Sequence, residues 1–150
     1  MLPPKQFTQV LHEWAEVFMR RSMRDFILFT KDTGLSNPQI STLMRLYYRG
    51  ACGVSDIGSH TGVTNAAASQ MVERLVQNGL LERTEDPRDR RVKQLTLTKK
   101  GRTLIEKGIE ARRRWLEELT TALTEDQQTE IITALTYLTE AARKLESPES

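Results

Sequence analysis

The sequence predicts a mainly α-helical chain that carries one small β-hairpin. Three observations lead to that class. Apolar residues recur at three- and four-residue steps along most of the chain, the spacing of one helix face. Glycines and Ser/Thr caps cut that pattern into helix-sized segments. Only between Leu80 and Thr98 does the period shorten to two, the alternation of a strand.

The first helix is expected from about Lys5 to Thr30, with Phe7, Val10, Leu11, Trp14, Phe18 and Phe26 along its stripe and Gly34 as its stop. At ~1.5 Å per residue it is about 40 Å long, more than a compact small domain buries alone. Ser36-Asn37-Pro38 opens the second helix. Ser36 or Asn37 can cap it, and proline is tolerated in a first turn because its missing N–H had no partner there. Ile40, Leu43, Met44, Leu46 and Tyr47 form its apolar face. Gly50 and Gly53 bracket a turn holding Cys52. Ser55 is expected to cap a third helix that runs to about Thr61 and breaks at Gly62.

Thr64 caps a fourth helix that ends at Asn78, with Gly79 as the stop. Asn-Gly is also a hairpin signature. Here it follows Met71, Val72, Leu75 and Val76 at helical spacing, so a helix end is the better assignment. Leu80–Thr84 and Val92–Thr98 then read as two short strands joined by the polar turn from Glu85 to Arg91. Leu95 and Leu97 lie on one face of the second strand, Gln94 and Thr96 on the other. Thr98 caps a fifth helix, Lys99 to about Thr121, striped by Leu104, Ile105, Ile109, Leu116 and Leu119. Thr124 to Gln127 fits a capping box that opens the last helix. Its Ile131, Leu135, Leu138, Ala142 and Leu145 alternate four- and three-residue steps, a coiled-coil-like seam. The final Ser-Pro-Glu-Ser is expected to fray.

The 150 residues suit one domain with an added oligomerisation element. With 28% charged, 38% apolar and 6% aromatic residues, the composition excludes both a disordered chain and a membrane one. No run approaches the ~18 apolar residues of a spanning helix. Met1 to Gln6 shows no secretory pattern, so the expected compartment is the cytoplasm. The single cysteine excludes an intramolecular disulfide and a zinc site built on several cysteines. The net charge of +2 is unevenly spread: +3 over residues 1–54, +3 over 55–102 and −4 over 103–150. A basic front and an acidic back suggest that the middle third faces a polyanion.

Val54 to Leu81 has the mechanics of a helix-turn-helix. Gly62 supplies the tight turn and Gly58 lets the two helices approach. Ile57, Val63, Ala68 and Met71 provide the shared apolar wedge. Thr64, Asn65, Ala66, Ala67, Ser69, Gln70 and Arg74 are left for the outer face. Short polar groups and alanines there suit a major groove about 12 Å wide. Asn65 and Gln70 can pair bidentately with adenine, and Ala66 or Ala67 can touch a thymine methyl. Ser55, Thr64 and Arg74 are the candidate phosphate contacts, Thr64 at a helix N-terminus. A surface helix without a partner is the plainer alternative.

The hairpin tip adds a second reader. Arg88, Arg90 and Arg91 crowd one turn, with the reach and charge to enter a narrow minor groove. Asp89 can hold a neighbouring guanidinium in a fixed fork. A charge run alone is usually just solvated. A helix-turn-helix followed at once by a basic hairpin is a winged helix, which is far more specific.

The chain resembles the MarR family of bacterial transcriptional regulators. The residues that carry the likeness are Val54 to Gly58, Thr64 to Leu75, Gly79 to Arg83, Asp86 to Arg91, and Leu95 to Thr98 with Gly101 after it. The resemblance implies a homodimer with interleaved N- and C-terminal helices, presenting two winged helices to a pseudopalindromic double-stranded DNA site. It implies repression relieved by a small, often aromatic or phenolic, ligand. It also implies that Thr64 to Gln70 read the major groove while Arg90 or Arg91, oriented by Asp89, enters the minor groove.

Long amphipathic helices outside the reading head independently call for a partner, and a second copy is the simplest one. Phe7, Val10, Leu11, Trp14, Ile131, Leu135, Leu138 and Leu145 are the expected interface. The organisation expected is an N-terminal dimerisation helix over 1–34, a winged helix-turn-helix over 35–98, C-terminal dimerisation helices over 99–146, and a frayed tail over 147–150.

Other residues carry less. Cys52 has no lysine or histidine beside it in sequence to lower its pKa, so it reads as a small apolar filler rather than a redox sensor. His12, near Glu13 and Glu16, and the distant His60 give no ligand spacing that implies a metal. Trp14 and Trp115 read as packing residues, with an effector pocket beside Phe26, Phe29 or Tyr47 the lesser alternative. No catalytic set or Gly-rich phosphate loop appears, so neither an enzyme nor a cofactor is expected. The alternative function is a helical module whose winged helix binds a protein.

Overall fold

The computed structural model describes residues 3–146, so the tail expected to fray, 147–150, lies outside the described residues. The chain divides into two compact units, 1–112 and 113–150. The first contains α1 (Pro4–Thr33), α2 (Asn37–Arg49), α3 (Val54–Thr61), α4 (Asn65–Gln77), β1 (Leu81–Glu85), β2 (Lys93–Leu97) and the first part of α5 (Lys99–Ala122). The second holds the rest of α5 and α6 (Glu125–Glu146). The fold is mainly helical with one hairpin, the class the sequence predicts.

Local chemistry sets most boundaries. Ser36 is the residue that caps α2. Its Oγ accepts from the Gln39 N–H at 3.4 Å, and the Gln39 Oε1 accepts from the Ser36 N–H at 2.8 Å. Thr98 caps α5 by accepting from the Gly101 N–H at 3.0 Å. The Thr124–Gln127 capping box forms as the sequence predicts, with bonds of 3.0 and 3.3 Å.

The start of α3 differs from expectation. Gly53, not Ser55, is the cap, and the Asp56 carboxylate accepts its N–H at 3.0 Å. A carboxylate three residues on satisfies the cap N–H and needs no hydroxyl at Ser55. Ser55 therefore sits one residue inside the helix, exposed.

Cys52 also does more than occupy a turn. It exchanges two backbone bonds with Leu95, N–H to carbonyl at 3.3 Å and carbonyl to N–H at 2.7 Å. The segment after α2 thus adds one antiparallel rung to the hairpin, whose own register pairs Leu81 with Leu97 and Glu85 with Lys93. The rung ties the hairpin base to the helical body.

The core of the first unit gathers Leu43, Leu46, Ile57, Ala68, Val72, Leu75, Leu80, Leu81, Leu95, Ile105 and Ile109. Every element from α2 to α5 contributes to it, so the hairpin is anchored by Leu81 and Leu95 while its tip stays outside. Thr42, the buried polar residue on α2, is satisfied by the Pro38 carbonyl at 2.8 Å. In the second unit, the Gln128 side chain donates to the Thr120 and Leu123 carbonyls, both at 3.0 Å, which closes the turn between helices. No described residue of α6 is buried. Among the described residues, no helix is long and apolar enough to cross a membrane.

Candidate nucleic-acid interface

α3, Gly62 and α4 form the helix-turn-helix. Gly62 closes α3 at φ 70°, a conformation glycine adopts without steric cost. A Cβ at Gly58 would lie 3.0 Å from Asn65 Oδ1 and 3.3 Å from the Val63 carbonyl, so the turn folds onto a residue with no side chain. Ile57 and Ala68 are fully buried between the helices, and Val63 and Met71 pack against them from the edge.

Burial of Ala68, Val72 and Leu75 fixes which face of α4 points away. Thr64, Asn65, Ala66, Ala67, Ser69, Gln70 and Arg74 are all exposed. The Thr64 Oγ1 accepts from the Ala67 N–H at 3.2 Å and so holds the first turn of α4.

The wing tip is built by two aspartates acting on backbone. Asp86 Oδ1 accepts from the Arg88 N–H at 2.8 Å, and Asp89 Oδ1 accepts from the Arg91 N–H at 3.0 Å. Two further bonds close the loop, Asp86 N–H to the Val92 carbonyl and Val92 N–H to the Asp89 carbonyl. Asp89 thus fixes the chain at Arg91 by a side-chain turn; the guanidinium fork expected of it is not what forms. The guanidiniums of Arg88, Arg90 and Arg91 are exposed, and among the described residues none makes an ion pair.

Two ion pairs that the sequence reading missed brace the stem. Arg83 on β1 meets Glu73 on α4 at 2.8 Å, and Lys93 meets Glu85 across the strands at 3.3 Å. Both are half-exposed, so they orient more than they stabilise. The second follows from strand pairing, whereas the first has no local signal because its partners come from different elements.

The expected interface residues are divided in exposure. Phe7 is 57% exposed, Val10 58% and Leu145 89%; Trp14, Ile131 and Leu135 are also exposed, while Leu11 and Leu138 are half-buried. Cys52 is buried. Burial pushes its thiol pKa up, the nearby Arg45 guanidinium opposes that, and Asp56 adds to it. Such a thiol is not activated. His60 bonds the Ser41 hydroxyl at 3.2 Å. Among the described residues, no cluster of ligating side chains suits a metal ion.

The model of the MarR family matches residues 35–93, the stretch from the start of α2 to the start of β2. The HTH-type transcriptional repressor MdtR of Bacillus subtilis is 30% identical over 109 residues, spanning 73% of this chain and 70% of MdtR. The chain belongs to the MarR family. The HTH-type transcriptional regulator BilQ of Clostridium symbiosum is 27% identical, over 76% of this chain and 82% of its own. The crystal structure of the transcriptional regulator Tm0710 from Thermotoga maritima superposes with a TM-score of 0.79 at 28% identity, covering 97% of this chain and 99% of that one. As a MarR-family member, the chain is a sequence-specific DNA-binding transcriptional regulator and not an enzyme. Its winged helix-turn-helix is the part that meets DNA.

Proposed function

We propose that the chain works in the cytoplasm as a homodimeric repressor. Each protomer presents α4 to the major groove and its wing to an adjacent minor groove of a pseudopalindromic operator. Asn65, Ala66, Ala67, Ser69 and Gln70 read base edges. Ser55, Thr64 and Arg74 hold phosphates, and Arg88, Arg90 and Arg91 supply the minor-groove contact. The observation that carries this reading is the wing tip. Its two aspartates accept from backbone N–H groups, and Arg88, Arg90 and Arg91 are all exposed and make no ion pair among the described residues. Repression is supported by the likeness to MdtR, a repressor. The stripes on α1 and α6 support the dimer, because exposed apolar helix faces of that extent seek a partner.

Release by a small ligand is the finer part of the proposal. A cleft of about 1040 Å³ behind the end of α4 supports it, a volume suited to ligand sites. Leu35, Leu80 and Leu104 give it an apolar floor, and Lys99, Lys100 and Lys107 a basic rim. Lys100 Nζ also donates to the Asn78 carbonyl at 3.0 Å, so an occupant of the cleft can act on the end of the reading helix.

The test is selection of bound fragments from genomic DNA, followed by gel shifts at several salt concentrations. A recurrent inverted repeat with steep salt dependence is expected. Absence of any selected sequence would overturn the operator reading and favour a protein partner.

A further inference from the structure

We propose that the cleft behind the end of α4 takes an elongated aliphatic dianion, a dicarboxylate with one acid at each end of a methylene chain. The proposal rests on this cleft being the ligand site and adds the chemistry that fills it. Along α5 the lining runs cation, apolar, cation. Lys99 and Lys100 stand at one end, Leu104 follows one turn on, and Lys107 closes the other end. At ~1.5 Å per residue, Lys100 and Lys107 start about 11 Å apart along the helix axis. Leu35 and Leu80 line the same space from outside α5.

The lining itself selects the ligand. No acidic residue is among those that line the cleft, so the charge it presents is all positive. Lys100 is held in place, because its Nζ donates to the Asn78 carbonyl at 3.0 Å and keeps its remaining donors for an anion. No aromatic residue lines the cleft either, so a ring finds nothing to stack on, whereas leucine walls suit a methylene chain. A monoanion pairs with one end and leaves the lysine at the other against its apolar tail, which costs desolvation without return. A dianion of matching length pairs both ends and lays its body on Leu104. One that is too short reaches a single end and gains no apolar contact.

The test is isothermal titration of the full-length protein with decanedioate, decanoate and butanedioate, on the wild type, Lys107→Gln and Thr103→Trp. Thr103 is exposed on the wall of the cleft, so tryptophan there fills the space and should leave the thermal midpoint unchanged. The wild type should bind decanedioate at least about fivefold more tightly than decanoate or butanedioate. Lys107→Gln should bring decanedioate down to the affinity of decanoate and leave decanoate nearly unchanged. Thr103→Trp should abolish binding of both. Equal affinity for decanedioate and decanoate in the wild type would overturn the dianion, as would a preference that survives Lys107→Gln or a failure of decanedioate to bind at all. Failure of the cleft as the ligand site shows differently, as decanedioate binding that Thr103→Trp leaves intact.

Discussion

The Thr98 hydroxyl donates to the Gly79 carbonyl at 2.6 Å while accepting from the Gly101 N–H at 3.0 Å. One side chain thereby joins the exit of the reading helix to the start of α5. Thr98→Val keeps the shape and loses both bonds, including a cap. It should cost about 1–3 kcal/mol in urea unfolding, with the m-value unchanged. Lys100→Ala removes only an exposed bond to Asn78 and should cost less than about 1 kcal/mol. Equal losses in the two variants would overturn the assignment of Thr98 as the joint.

Gly101 and Gly108 both lie on α5 and are both buried, yet alanine should affect them differently. A Cβ at Gly101 meets the Leu80 carbonyl oxygen, which belongs to the chain between α4 and β1. Backbone cannot step aside without moving the wing, so Gly101→Ala should cost about 3 kcal/mol or more. At Gly108 the obstacle is the Phe29 ring, 2.6 Å away, which is half-buried and can rotate. Gly108→Ala should cost about 1–2 kcal/mol. Thermal or urea denaturation gives both values, and the reverse order would refute the argument.

The helix-turn-helix was legible because its determinants are local. Gly62, the Thr64 cap and the period of Ala68, Val72 and Leu75 act within a few residues of one another. The Cys52–Leu95 rung was not legible, because it joins distant segments through backbone groups that every residue carries. The partner of Asp89 is not legible in the sequence for another reason. Its carboxylate can bind a guanidinium or a backbone N–H, and in a tight turn the N–H two residues on is already within reach, without ordering a long side chain. The outward face of α4 is legible in both sequence and fold, because burial of Ala68, Val72 and Leu75 leaves Asn65, Ser69 and Gln70 exposed.

Cys52 should behave as a protected thiol. Burial raises its pKa in the folded state, so folding favours the protonated form. That stability is fully present below the unfolded thiol pKa of about 8.5 and is lost as pH rises through the folded value. Unfolding free energy should therefore decline above about pH 8.5, and Cys52→Ala should lessen the decline. A thiol reagent should label the native protein far more slowly than the urea-unfolded one. Equal labelling rates would show that the site opens freely.

The exposed stripe of α6 predicts the consequence of removing it. The intact chain should run near 34 kDa, twice its 17.2 kDa mass. A chain ending before Thr124 loses Ile131, Leu135 and Leu145, all exposed and apolar. It should run as a monomer and bind the operator at least about a hundredfold more weakly, since two half-sites are no longer held together. Sedimentation and gel shift measure the two effects, and a folded monomer that still binds tightly would refute the dimer.

The wing offers the clearest division of labour. Gln70→Ala should cost about 1–3 kcal/mol on the operator and relax preference at one base position. Arg90→Ala with Arg91→Ala should instead weaken binding to every sequence. Each lost phosphate neutralisation removes about 0.9 from the slope of log K against log salt. Both wings of a dimer are altered, so the slope should fall by about two to four units. The aspartate between them separates turn from charge. Asp89→Asn keeps an oxygen for the Arg91 N–H and removes a negative charge, so it should bind DNA at least as tightly as the wild type. Asp89→Ala loses the bond that holds the tip and should weaken binding by about 1 kcal/mol. If Asp89→Asn is as damaging as Asp89→Ala, the carboxylate charge and not the turn matters. If the arginine double mutant keeps its salt slope, the loop from Asp86 to Arg91 is solvated and takes no part in binding.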